Sequence, residues 1–247
     1  MQSSLAPARA SIALAANLNA LLAGTQTIER AAAAIVGDDV AHHLLDPEGV
    51  LGLDPLAATP LPSVLGPLAT AEPEQWVLAL PRPGAPGGLR GPAPLTTSAL
   101  DAGEVVIGAS GRLALVPHRV GPAVQWRIHA ATRPLPPPTP YEAERALGEV
   151  ILDAADTLQR LDVAAVGAGA GMRPDLTAEI ALAPGYPARR HATAARAARL
   201  IVACDLALDG DGGTISSYEV TARAQQLRRV RAVATDALCS AVTWMRS

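Results

Sequence analysis

Apolar positions recur at helical spacing through the first 45 residues. Leu14, Leu18, Leu21, Leu22, Ile28 and Ile35 follow one another at steps of three, four and seven. Gly24 and Gly37 interrupt the pattern, which predicts two or three short helices in place of one long one. The stretch "LDPEGVLGLDPLAATPLPSVLGP" then brings Pro or Gly every few residues and reads as a surface connection with at most one short helix.

The period next changes to two. "QWVLALP", "EVVIGA", "RLALVPH" and "AVQWRIHA" alternate in the way half-buried strands do. Ser110-Gly111 and "RVGP" are short enough to be hairpin turns, so the four segments predict an antiparallel meander. "RPGAPGGLRGPAP" separates the first two strands as an irregular loop, followed by a helical turn over 97–102.

"TRPLPPPTP" ends the β region as a stiff, polyproline-like connection. It leads into Thr139, Pro140, Tyr141 and Glu142, which together form a capping box with Pro at the first helical position. Leu147, Ile151, Ala154, Leu158 and Leu161 mark one face of the helix that follows. Two more helices are expected over about 187–208 and 216–245, with a weaker one near 175–183. In the last of these Val220, Ala224, Leu227, Ala234, Leu238, Ala241 and Met245 form an apolar stripe wider than one packing seam. Either the N-terminal helix covers the end of that stripe or a second copy does, giving a symmetric dimer.

The fold class is therefore α+β: N-terminal helices, a four-stranded antiparallel β-meander and a C-terminal helical bundle. The expected organisation is 1–132 for the N-terminal helices with the meander, 133–138 for the connection and 139–247 for the helical part. The two parts form one continuous unit, because neither would bury much apolar surface alone.

Composition narrows the function classes. All 20 basic residues are Arg, with no Lys and no Phe, a skew that codon bias in a GC-rich genome of actinobacterial type explains better than phosphate recognition does. Net charge is −3, yet residues 187–247 carry 9 Arg against 5 acids. That region holds almost no aromatics for stacking bases, so Arg189, Arg190, Arg196, Arg199, Arg223, Arg228, Arg229 and Arg231 are expected to form a solvated face or to meet acidic parts of the chain, not nucleic acid. Every apolar run is broken before the roughly 20 residues of a membrane span. "SIALAANLNALLAG" carries Asn17 and Asn19 at its centre, unlike a signal peptide, so we expect an unprocessed cytoplasmic chain. Cys204 and Cys239 imply no disulfide scaffold.

Several short stretches resemble chemistry without completing it. "LDGDGGTISSYEV" looks like a calcium loop, but anchoring on Asp209 and Asp211 puts Gly213 and Val220 at ligand places, while anchoring on Gly213 and Glu219 loses the acids. A turn followed by a Ser216–Glu219 capping box accounts for the same residues. "VGAGAGMRPD" lacks the strand and the glycine spacing of a dinucleotide fingerprint. "GDDVAHHLLDPE" sets Asp38 with His42, Asp39 with His43 and His42 with Asp46 at i, i+4 on a presumed helix, a geometry open to a metal but equally that of a solvated helix. No metal and no cofactor is expected. The leading functional expectation is a non-catalytic protein acting through protein contacts or self-association. The alternatives are an enzyme or small-ligand binder with a site between sheet and helices, drawing on Glu104, His118, Arg127 and His129, and a nucleic-acid accessory factor using the C-terminal arginines.

Overall fold

The computed structural model describes residues 8–160, 180–209 and 217–245. In chain order it contains α1 (Arg9–Leu22), α2 (Ile28–Val36), β1 (His42–Leu45), β2 (Thr59–Pro60), α3 (Leu61–Ala71), β3 (Trp76–Ala79) and α4 (Ala93–Ala102). These are followed by β4 (Val105–Gly108), β5 (Leu113–Val120), β6 (Ala123–Ala130), α5 (Pro140–Arg160), α6 (Ala188–Asp209) and α7 (Ser217–Thr243). The strands form one sheet in the order β2-β1-β6-β5-β4-β3.

The alternation along the strands sorts side chains onto two faces. Trp76, Leu78, Val106, Leu113, Leu115, Val124, Trp126 and Ile128 join the main core, which continues through Leu14 and Leu18 of α1, Leu65 and Leu68 of α3, and Leu238 and Val242 of α7. Ala79, Val105, Ile107, Ala114 and Val116 face the other way and form a small second core with Leu95 and Ala99 of α4. With Phe absent, Trp76 and Trp126 are the largest fully buried side chains, and Ala, Leu and Val supply most of the rest.

The four predicted strands are present as an antiparallel series, but the sheet is larger and mixed. β1 adds beside β6 in parallel, with His43 opposite Gln125 and Leu44 opposite Trp126, and β2 pairs antiparallel with β1. The stretch expected to carry Asp and His on a helix is thus a turn at Asp38 followed by a strand. The reason is physical: Gly37, whose φ is +52°, caps α2 after Val36, and His42 and Leu44 then alternate inward as a strand requires. The supposed surface connection contains an 11-residue helix, α3, whose Leu61, Val64, Leu65 and Leu68 are fully buried. α4 begins at Ala93, a turn earlier than expected, just after Pro92. The weak helix near 175–183 is not found in its described part, since Ile180 to Ala183 have no regular structure.

The end of α7 lies on the free edge of β3 and replaces the missing neighbour strand. Asn19 Oδ1 accepts from Trp76 N (2.8 Å), and Thr243 Oγ1 accepts from Leu78 N (3.2 Å). Side chains also take up the last carbonyls of α7: Tyr186 Oη donates to Val242 O (2.5 Å), Gln75 Nε2 to Thr243 O (2.7 Å) and Arg190 Nε to Trp244 O (3.2 Å). Leu238, Val242 and Met245 are consequently buried within the chain, so the end of the stripe from which self-association was argued is covered, while Val220 at its start stays exposed. At the opposite edge β2 is two residues long and contains Pro60, a poor template for further pairing.

The capping box forms as expected. Thr139 N and Oγ1 donate to Glu142 Oε2 (2.9 and 2.6 Å), and Glu142 N donates back to Thr139 Oγ1 (3.4 Å). The proline segment before it is held in place, because Trp244 Nε1 donates to the carbonyls of Pro138 (3.1 Å) and Pro137 (3.4 Å).

Candidate functional site

The four residues singled out from the strands do not meet. Val106 pairs with Leu115 on the main-core face, which carries Glu104 beneath α1. His118, Arg127 and His129 lie on the opposite face, because Ala114 is opposite His129 and Val116 opposite Arg127. α4 covers only part of that second face. His118 is half-buried, Arg127 exposed and His129 buried. Ser98 Oγ lies 3.5 Å from His118 Nε2, and His129 Nδ1 lies 2.9 Å from Glu48 Oε1, whose other oxygen accepts from Ala130 N. Burial first, and then the neighbouring Arg127 and His129, hold the His118 pKa below its usual value, which favours a neutral ring.

Glu104 is 5% exposed and its Oε2 has no hydrogen-bond partner among the described residues. Burial pushes its carboxyl up to about 8, against the opposing influence of Ser11 and Arg119. It is a protonated acid at neutral pH.

The larger recesses among the described residues are lined by other side chains. The first is a cleft of about 650 Å³ between the start of α1, the end of α2 and the tip of the β5–β6 hairpin. Arg9, Asp38, Asp39 and Arg119 line it together with Ile12 and Ile35. Arg119 Nη1 donates to Asp39 Oδ1 (3.0 Å), and His42 Nε2 lies 3.0 Å from Asp39 Oδ2. Trp126 Nε1 donates to the other His42 nitrogen (3.2 Å), which fixes the tautomer with its proton toward Asp39. Burial works to raise the Asp39 pKa, but the hydrogen bonds from His42 and Arg119 outweigh it and keep the group ionised. Burial holds the His42 pKa down. Both imidazole nitrogens are therefore committed within the chain, and no group of three potential ligands is arranged for a metal among the described residues.

The second recess runs between α5 and α6. Adjoining hollows of about 430 and 520 Å³ share Tyr141, Glu144 and Arg189. Trp244 and Pro187 line one end and Leu147 the other, with Arg145, Arg190 and Arg196 around them. Tyr141 is 72% exposed at the rim. Arg189 pairs with Glu144, whose other oxygen accepts from Thr193 Oγ1 (3.0 Å).

The basic concentration seen in the sequence is largely spent inside the fold. Arg231 makes a two-pronged pair with Asp205 between α7 and α6, Arg229 pairs with Asp153 of α5, and Arg223 donates to Ala207 O (3.0 Å). With Arg189 and Arg190, five of the eight arginines bind other parts of the chain. Cys204 and Cys239 are both buried and unbridged, and burial pushes their thiols up to about 11 and about 12. Asp211, Gly213 and Ser216 of the calcium-like stretch lie outside the described residues, as does all of Val166 to Asp175.

Sequence reasoning missed Arg9, Arg119, Tyr141 and Trp244 as recess residues. Arg9, Arg119 and Trp244 belong to no motif and Tyr141 lies in a capping box that says nothing of a recess; each meets its recess neighbours only through the fold.

Among the described residues these features define an α+β protein with a mixed six-stranded sheet, a helical C-terminal part and recesses lined by charged side chains. Residues 11–143 match the family model described as Rv1486c-like protein, N-terminal domain, and residues 141–239 match that described as Rv1486c-like protein, C-terminal domain. The chain belongs to the Rv1486c-like family. Neither description names an activity, and no curated protein or solved structure matches the chain. No helix among the described residues is long and apolar enough to cross a membrane.

Proposed function

We propose that the protein works through protein contacts, holding an acidic segment of a partner, with an apolar anchor residue, in the groove between α5 and α6. The observation that carries this reading is the composition of that groove: Tyr141 standing 72% exposed beside Trp244, framed by Arg145, Arg189, Arg190 and Arg196. Large aromatics and Arg are enriched at interface centres, and Arg145 and Arg196, which Glu144 does not pair, supply the charges that select carboxylates on the partner. Trp244 already holds backbone carbonyls of the chain's own Pro137 and Pro138, the way an indole grips an extended peptide. The reading assigns no catalytic step, takes the two parts of the chain as one working unit and places it in the cytoplasm, in keeping with two buried unbridged thiols.

The test is an array of short synthetic peptides with one Leu or Trp anchor in acidic, neutral and basic surroundings, applied to the full chain. The acidic set should bind, lose affinity as salt rises, and lose it again with Tyr141→Ala or Arg196→Glu. Equal binding of all three sets, or no effect of either substitution, would overturn the reading.

A further inference from the structure

The cleft between α1, α2 and the β5–β6 hairpin has walls of opposite charge. On one wall stand Arg9 and Ala10, at the start of a 14-residue helix whose N-cap is Ala8. Among the described residues the N-cap Ala8 makes no side-chain hydrogen bond and no acidic residue belongs to the first turn, although Glu104 meets Ser11 from the core side, so the positive end of the helix lies beside the Arg9 guanidinium. On the other wall α2 ends at Val36 and is followed by Asp38. Ala33 and Val36 give their carbonyls to Gly37 N and Asp39 N, while those of Ala34 and Ile35, on the same wall, have no donor among the described residues. The negative end of one helix and a carboxylate thus oppose the positive end of another and a guanidinium.

The neighbouring charges are already matched. Arg119 and Asp39 neutralise each other within the cleft, and His42 completes Asp39. Arg9 and Asp38 differ: both are exposed and neither has an ionic or hydrogen-bonding partner among the described residues. Ile12 and Ile35 supply apolar surface between them. A volume of about 650 Å³ lies in the range of small-molecule sites and admits a molecule up to the size of a short peptide.

We propose that this cleft binds a zwitterion, an α-amino acid or dipeptide, with its carboxylate against Arg9 and the start of α1 and its ammonium group against Asp38 and the last carbonyls of α2. A simple anion satisfies only the first wall and a simple amine only the second. The aliphatic strip between the walls selects a short apolar side chain on the ligand. The site is separate from the α5–α6 groove and stands or falls without it.

The experiment is a thermal-shift screen of the full chain with the free amino acids and a set of dipeptides, followed by calorimetric titration of the strongest responder. Saturable binding is expected. N-acetylation or C-amidation of that same ligand should weaken it by at least about tenfold, since each removes one of two charge-assisted contacts. Arg9→Ala and Asp38→Ala, both at exposed positions and checked for an unchanged circular dichroism spectrum, should do the same. Ala34→Trp, which fills the cleft from an exposed position, should abolish binding. The proposal is overturned if no free amino acid or dipeptide shifts the melting curve, if the blocked ligands bind as well as the free one, or if Arg9→Ala and Asp38→Ala leave affinity unchanged.

Discussion

Asn19 acts toward Trp76 as a strand neighbour would. Its Nδ2 donates to Trp76 O at 2.9 Å and its Oδ1 accepts from Trp76 N at 2.8 Å, so one helical side chain satisfies both backbone groups of an edge-strand residue. Asn19 is 5% exposed and Trp76 fully buried, so no water replaces the pair when it is broken. Asn19→Ala should therefore cost about 2 to 4 kcal/mol, the cost of stranding a buried donor and acceptor. Urea denaturation reads the loss as a lower midpoint, and Asn19→Asp, which keeps only the acceptor, should fall between.

Glu104 makes stability depend on pH. In the unfolded chain its carboxyl loses the proton near 4.5, and in the fold near 8. Between those values the native state holds one more proton than the unfolded state, so stability falls as pH rises through the window, by at most ~1.4 kcal/mol per pH unit. Below 4.5 and above 8 this contribution is flat. Glu104→Gln should remove the slope and leave the variant more stable than the parent at pH 8. Denaturation midpoints at pH 5 and pH 8 for both proteins test it, and equal slopes would exclude Glu104 as the cause.

Arg231 and Asp205 join α7 to α6 below the surface, with side chains 8% and 17% exposed. Arg231→Met takes the two-pronged partner from Asp205 but leaves Arg82 Nη1 at 3.9 Å, so the loss should fall below the about 3 to 5 kcal/mol of a fully stranded buried charge. Replacing both by Leu should cost much less, because the desolvation of both charges disappears along with their attraction. A double-mutant cycle by chemical denaturation separates the two contributions.

Gly111 is fixed by both conformation and space. Its φ is +81°, and a Cβ added there would overlap the backbone of Arg133. Gly111→Ala should destabilise by about 3 kcal/mol or more, and the change in tryptophan fluorescence on unfolding should move to lower denaturant. Gly121 also has a positive φ, at +59°, but no atom lies within 4 Å of the added Cβ, so Gly121→Ala should cost clearly less.

The meander was legible because Trp76, Leu78 and Leu80, and again Val124, Trp126 and Ile128, alternate for long enough to separate a period of two from one of 3.6. His42 to Leu45 are only four residues, too few for either period to show, and flanking Asp residues at helical spacing favoured the wrong one. Thr139 and Glu142 were legible for a different reason: a capping box is a local contract between neighbours in the chain. The cleft is the opposite case. Arg9, Asp38 and Arg119 come from three elements, and nothing near any one of them in sequence announces the others. The separation of Glu104 from His118, Arg127 and His129 could have been read in advance. A hairpin turn at Ser110-Gly111 sets the register, and the register sets which side chains share a face.

The seating of α7 on β3 also orders events during synthesis. Trp76 and Leu78 leave the ribosome more than 160 residues before Thr243, the residue whose hydroxyl receives the Leu78 amide. Throughout that interval the strand has an open, apolar border, which is the feature that recruits other nascent chains into mixed sheets. α1, already made, can hold Trp76 through Asn19, yet the Leu78 amide waits for almost the last turn of the final helix. Messages that stall or end before codon 243 should therefore yield products that co-aggregate, while the finished chain, with its border closed, does not.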